Sequence, residues 1–225
     1  MLDLNKIYEF FQPEKVRERI HIIGCGSVGS VIAENLARCG LKKITLWDFD
    51  KVEKHNIVNQ MFRQKDVGRP KTEALKDILV EINDELEKTV KVENGGWQGK
   101  LLSGYVFLCM DNIDLRRDFV EKHFKSPTVK AVFDVRTELK SAQLRAADWS
   151  DTESKQDLLN SMQFSHEEAK AEETDVSACG ITLGVATTVR LICGLAVNNF
   201  LNFVKGEGLK KLVLFDGFEF ELDAF

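Results

Sequence analysis

From Ile20 to Phe133 the chain alternates short apolar runs with longer stretches in which apolar residues recur at helical spacing. Ile20 to Ile23 is a β-branched run ending at Gly24, and Val28 to Cys39 then reads as a helix stopped by Gly40. Lys43 to Trp47 predicts a second strand, Pro70 to Glu87 a second helix and Thr89 to Val92 a third strand. Tyr105 to Met110 follows as a buried-type strand, Asp114 to Phe124 as a helix and Val129 to Phe133 as a strand. This alternation is what a parallel sheet with crossover helices requires. Beyond it the rhythm changes. Leu139 to Ala147 predicts an added strand, and Asp148 to Asp175 is densely charged without long apolar periodicity, so a mobile crossover is expected there. Thr182 to Val204 is apolar nearly all round and predicts a helix buried on most sides, and Leu212 to Leu222 predicts a closing hairpin turning at Asp216-Gly217. The expected fold is α/β: a Rossmann-like, doubly wound, mostly parallel sheet with added antiparallel strands and a C-terminal hairpin.

Composition narrows the class. The 225 residues suit one domain, 1–225, with 1–19 as an N-terminal extension and 148–175 as the charged crossover. At 44% hydrophobic and 30% charged, the chain has no compositional mark of disorder or of a fibrous protein. The net charge of −5 offers no cationic excess for a phosphate backbone, which argues against nucleic acid. Uninterrupted apolar stretches such as Tyr105 to Met110 are short, and Met1 to Glu18 does not read as a signal peptide, so no membrane span and a cytoplasmic location are expected. Five cysteines, none paired as C-x-x-C, read as reduced thiols rather than as a zinc site.

Three constellations carry chemistry. The first, Gly24-Cys25-Gly26-Ser27-Val28-Gly29, lies between a strand and its helix, with Asp48 nineteen residues beyond Gly29. Gly24 suits the tight turn, Gly26 lets a phosphate approach the backbone, and Gly29 lets the helix pack on the strand. The free amides at the helix start favour an anion, and Asp48 would accept hydrogen bonds from ribose hydroxyls. Spacing alone leaves NAD, FAD and an adenine mononucleotide open.

The second constellation runs from Asp48-Phe49-Asp50 through His55 to Arg63 and on to Asp66-Val67-Gly68-Arg69-Pro70-Lys71. Cations such as Arg63 and Lys71 suit the charge that develops when an α,β-phosphate bond breaks, a demand that hydride transfer does not make. A structural lysine directly behind Pro70, at a helix N-terminus, is electrostatically disfavoured, although a solvent-facing role stays open. The third is Asp111-Asn112 at the carboxyl end of an apolar strand. A single Asp there suffices for Mg²⁺ alongside phosphate oxygens, the alternative being a helix cap.

Taken together these residues resemble the ThiF/MoeB family of adenylyltransferases, whose core is shared with the ubiquitin-activating enzymes. The match covers G-C-G-S-V-G at Gly24 to Gly29, L-W-D-F-D at Leu46 to Asp50 and N-I-V-N-Q-M-F-R at Asn56 to Arg63. It continues through D-V-G-R-P-K at Asp66 to Lys71 and M-D-N-I-D-L-R at Met110 to Arg116, about half the chain in all. The resemblance implies ATP and Mg²⁺ as cofactors, with Asp48 on the ribose, Asn56, Gln60 and Arg63 around the phosphates, Lys71 on the α- and β-phosphates and Asp111 on the metal. It implies adenylation of the C-terminal carboxylate of a small ubiquitin-like or sulfur-carrier protein ending in glycine, by a homodimer.

Two departures bear on this. Asn59 stands where the family often has an arginine, so Arg63 or a partner subunit's arginine must compensate. The paired C-x-x-C motifs and the separate catalytic-cysteine domain of larger relatives are missing, which implies a minimal form. Cys179, before Gly180 and the apolar helix, is the one cysteine in a setting suited to carrying a thioester, with a packed thiol as the alternative. Trp149 opens the charged crossover, where an exposed ring could meet a protein partner. Two rivals remain. A nucleotide-binding pseudo-enzyme or scaffold subunit is kept alive by Asn59. An NAD-dependent oxidoreductase has the glycine loop and Asp48 in its favour, but Tyr8 and Tyr105 lack a lysine four residues on.

Overall fold

The computed structural model describes residues 2–168 and 183–225. Eight strands form one sheet in the order β3-β2-β1-β4-β5-β6-β7-β8. The strands are β1 Ile20–Ile23, β2 Ile44–Trp47, β3 Lys91–Glu93, β4 Gly104–Leu108, β5 Val129–Thr137, β6 Ser141–Asp148, β7 Leu212–Asp216 and β8 Glu221–Ala224. The pairings from β3 across to β5 are parallel and those from β5 to β8 antiparallel. Strands 1, 2 and 3 wind one way and strands 4 and 5 the other, so the winding reverses between β1 and β4. Open α/β sheets bind ligands beyond the carboxyl ends of their strands at such a reversal.

Every residue of β1, β2 and β4 is buried, which explains why these strands read as continuous apolar runs rather than alternating ones. One face packs Ile22, Leu46, Phe107 and Phe133 against helices α1 (Ser27–Arg38), α2 (Lys71–Ile82) and α6 (Ala186–Lys205). The other packs Ile23, Trp47, Val106 and Val132 against α4 (Ile113–His123) and α5 (Thr152–Asn160). On the first face Phe200 meets Tyr105, Phe107 and Phe133 edge-on. The N-terminal segment is anchored by buried Phe11 and Pro13. Gly40 ends α1 in a left-handed conformation, φ +81°, with its α-carbon hydrogens facing Leu4.

The structure corrects several expectations. The predicted helix from Pro70 to Glu87 breaks at Asn83, after which Leu86–Thr89 forms one separate turn, α3, and β3 starts at Lys91. Within the predicted mobile crossover, Asp148 ends β6, Asp151 caps α5 through Glu153 N, and Trp149, Leu158 and Met162 are buried. Charge density misled there because α5 buries only a narrow stripe, Ser154 and Leu158, while its other faces stay polar. Residues 169–175 of that expectation lie outside the described residues. Trp149 is not an exposed partner contact: it is buried, and its Nε1 donates to the His123 carbonyl at 2.8 Å. Helix α6 is long and apolar enough to cross a membrane by length and composition alone, with a mean hydropathy of 1.2. It lies instead along α1, β5 and β6, with Leu191 half exposed on its open side.

Candidate active site

The turn from β1 into α1 is built by its glycines. Gly24 has φ +92°, and a β-carbon there would lie 2.7 Å from the Cys109–Met110 backbone, so this glycine lets the loop touch the end of β4. A β-carbon on Gly29 would fall 1.8 Å from the Gly24 carbonyl oxygen, so the start of α1 seats on the turn only because Gly29 has none. Gly26 is the N-cap. No side chain caps the helix there and no acid occupies its first turn. The first amides of α1 therefore have neither an intrahelical acceptor nor a side-chain cap, a setting that favours an anion.

Asp48, at the end of β2, holds this loop in place. One carboxylate oxygen accepts from Cys25 N at 2.6 Å and the other from Asp50 N at 2.8 Å. Burial raises its pKa, against the opposing pull of those amides and of Lys71. Each oxygen keeps acceptor capacity beyond these bonds. Lys71 is the first residue of α2 and buried, and its ammonium lies 2.8 Å from Asp50 Oδ2. Lys71 N also donates to the Asp50 carbonyl, so the Asp48–Asp50 strand end and the start of α2 form one unit.

The segment between them covers the loop. Asn56 is buried and accepts from Glu53 N at 2.9 Å as part of a capping box, so one end of its side chain serves the local turn. Gln60 lies over the glycine loop, with its Nε2 4.0 Å from the position of a β-carbon on Gly26. Its Oε1 is buried and has no hydrogen-bond partner among the described residues. An orphaned acceptor costs about 1–3 kcal/mol unless a donor completes it, as a nucleotide hydroxyl or amino group would. Asn59 contacts Gly184, on the approach to α6. Arg63 is placed differently from the other phosphate candidates: its guanidinium pairs with Glu81 at 2.6 Å. Glu81 is ten residues along α2 from Lys71, about 15 Å at the helical rise. The structure therefore brings Gly24, Gly26, Gly29, Asp48, Gln60 and Lys71 together and leaves the Arg63 head group outside that cluster.

Asp111 follows Met110, whose amide abuts Gly24. It is exposed, and among the described residues no group bonds or pairs with its carboxylate. The helix-cap alternative falls to its neighbour, because Asn112 is the N-cap of α4 and accepts from Leu115 N at 3.1 Å. Sequence reasoning missed what lies beneath. Asp134, fully buried on β5, sits between Arg116, which pairs with its Oδ1, and Arg136, whose Nη2 is 2.6 Å from its Oδ2. Burial alone would raise the Asp134 pKa, but the two guanidiniums outweigh it and hold the carboxyl below its usual range. Arg136 also donates to the Ser161 carbonyl and hydroxyl at 3.0 Å, tying β5 to the end of α5. The available signal was an aspartate inside the otherwise apolar Ala131–Val135 run, which demands buried cations.

The remaining candidates are structural. Cys25, Cys109 and Cys193 are buried, and burial pushes each thiol pKa up, away from nucleophilic reactivity. Cys179 lies outside the described residues. Among the described residues no group of three or more His, Cys, Asp or Glu side chains could hold a metal as a cluster. A surface cavity of about 560 Å³, lined by Trp97, Leu115 and Lys122 among others, opens beside α4 rather than at the glycine loop. We give it no part in the chemistry, because none of the clustered site residues lines it.

The fold and this cluster define a doubly wound α/β domain with a glycine-rich loop at the reversal of its sheet, flanked by a buried lysine and an exposed carboxylate. The ThiF family model matches residues 3–225, and the chain belongs to that family. Among curated proteins, it is 33% identical over 121 residues to ubiquitin-like modifier-activating enzyme 5 of Caenorhabditis elegans, covering 46% of this chain and 28% of that protein. It is 45% identical over 74 residues to the Arabidopsis thaliana protein of the same name, covering 32% of this chain and 17% of that one. Among solved structures, E. coli MccB with ATP superposes with a TM-score of 0.75 at 17% identity, over 95% of this chain and 65% of that one. PaaA gives a TM-score of 0.70 at 16% identity over the same shares. The matched region thus spans less than a third of the curated relatives named here and under two thirds of the solved chains.

Proposed function

We propose that this chain is an ATP- and Mg²⁺-dependent adenylyltransferase that activates the C-terminal carboxylate of a small ubiquitin-like or sulfur-carrier protein, or of a peptide. The observation that carries the reading is Asp111, an exposed carboxylate without a partner among the described residues, held at the end of β4 where that strand touches Gly24 of the glycine loop. The substrate carboxylate attacks the α-phosphorus, a new P–O bond forms, and pyrophosphate leaves with the electron pair of the broken bond. Asp48 and the orphaned Gln60 oxygen suit the nucleoside, the α1 amides and Lys71 suit the phosphates, and Asp111 would hold Mg²⁺, which neutralises phosphate charge when bound. No side chain has to act as the nucleophile, so catalysis rests on positioning and electrostatics. Membership of the family, likeness to ubiquitin-like modifier-activating enzyme 5, and the solved MccB structures with ATP and with AMPCPP and MccA support this reading. ATP–pyrophosphate exchange tests it. Lys71→Ala and Asp111→Ala each lower exchange by about 10²-fold or more in folded protein, and wild-type rates in both would overturn the role assignments.

One observation favours a second reading. Asn59 stands at the family's arginine position, and Arg63 is engaged by Glu81, so phosphate-binding cations are few. A subunit that binds nucleotide without turning it over would show ATP binding in calorimetry with no exchange at any carrier concentration. A homodimer in which the partner subunit supplies the missing cation reconciles Asn59 with activity. Sedimentation equilibrium checks that proposal, and a strict monomer that exchanges pyrophosphate would remove it.

A further inference from the structure

The Asp111 side chain is exposed and has no partner among the described residues, yet the backbone on both sides of it is held. Asn112 caps α4 on one side. On the other, Arg116 extends back from α4 to the end of β4. One guanidinium nitrogen reaches the Leu108 carbonyl at 3.3 Å, the Val135 carbonyl at 3.0 Å and Asp134, and another bonds the Met110 carbonyl. The Met110 carbonyl belongs to the planar peptide unit that includes the Asp111 α-carbon. A rigid, buried fork thus holds the plate on which Asp111 is mounted, against the same Cys109–Met110 backbone that touches Gly24. The buried Asp134 charge orients the fork, and Arg136 balances the second Asp134 oxygen.

We infer that Arg116 is a positioning residue for the metal–nucleotide site, presetting Asp111 relative to the glycine loop through the Met110 peptide. The inference rests on the functional reading above. Lysine at this position keeps the charge facing Asp134 but lacks the planar fork that sets two separate nitrogens on the Val135 and Met110 carbonyls. Partners of a ligating carboxylate typically change metal affinity by about 10- to 100-fold when removed.

The test is Mn²⁺ titration in the presence of a non-hydrolysable ATP analogue, with free Mn²⁺ read by electron paramagnetic resonance. It is run on wild type, Arg116→Lys, Arg116→Gln, Arg136→Lys and Asp111→Ala, each checked for folding by circular dichroism. Folded Arg116 variants should bind Mn²⁺ about tenfold more weakly while metal-free nucleotide binding changes by less than about twofold. Arg136→Lys should lose only about two- to threefold, since Arg136 touches no backbone next to Asp111. Wild-type Mn²⁺ affinity in the folded Arg116 variants overturns the inference, as does an equal loss in the Arg116 and Arg136 variants. Should neither Arg116 variant fold, unchanged affinity in Arg136→Lys overturns it and the two- to threefold loss supports it. Absence of nucleotide-dependent Mn²⁺ binding in wild type is a different failure: it removes the functional reading and this inference with it, whereas wild-type binding with indifferent variants removes only the inference.

Discussion

The parallel half of the sheet and its antiparallel wing are built to different rules. Around β1, β2, β4 and β5 both faces are covered, and charged or titratable groups are buried among the strands and the helices that cover them: His21, Asp48, Lys71, Arg116, His123 and Asp134. At the far edge every residue of β8 is exposed, and Phe220, Leu222 and Phe225 face solvent beside acidic Glu221 and Asp223. A buried polar group is tolerated only where its partners are in place, so the parallel half is organised by electrostatic demand. The wing is held by ladder hydrogen bonds from β6 through β8 and has no such constraint. Among the described residues, buried and partnered charge of the kind the proposed phosphate chemistry would need is concentrated in the first region.

The largest effect should come from Asp134→Ala, which strands the buried Arg116 guanidinium and the part-buried one of Arg136. A loss of about 3–5 kcal/mol is expected in urea unfolding, and a loss below about 1 kcal/mol would mean that water already reaches the pair. Acid should also strike the parallel half. Burial first, then the positive charges of Arg19, His123 and Lys100, push the His21 pKa down from 6.5 to about 4 against the Ser103 carbonyl bond, and Trp47 Nε1 donates to His21 Nδ1 at 3.1 Å. Between those values the unfolded chain takes up a proton that the native protein refuses. Stability is therefore complete above pH 6.5 and is lost as pH falls toward 4, by about 3 kcal/mol from this residue. His123, depressed in the same direction by burial, adds to the slope. Chevron or urea midpoints across that range check this, and His21→Gln should flatten the dependence.

Gly29→Ala comes next, because its β-carbon would meet the Gly24 carbonyl at 1.8 Å. Overpacking of this kind costs about 1–3 kcal/mol, and displacement of the loop should abolish ATP binding in calorimetry; a variant that binds ATP normally would dissociate the glycine contact from the site. The smallest effect belongs to the wing. Phe220→Ser at a 90% exposed position should shift stability by less than about 0.5 kcal/mol, and a cost near that of Asp134→Ala would erase the contrast between the two regions.

Within the parallel half, what was legible followed from period and spacing. The runs at Ile20 to Ile23 and Tyr105 to Met110, the glycines at 24, 26 and 29, and Pro70 opening α2 are local signals, readable because strand and helix geometry repeat over a few residues. The same reasoning failed at 148–162, where the α5 stripe is too narrow to register against its charges, and at Asn83, where a polar residue that is buried closes α2. Composition and pattern by themselves determined the class of fold, the glycine turn into α1 and the positions of Asp48, Lys71 and Asp111 at strand or helix ends. Only the tertiary structure decided that Arg63 pairs with Glu81 rather than facing Lys71, that Trp149 donates into the His123 carbonyl, and that Asp134 binds two arginines beneath Asp111. Each of these joins residues from separate elements, and such partnerships depend on how faces dock and on which buried charge must be answered. No periodicity along the chain encodes them.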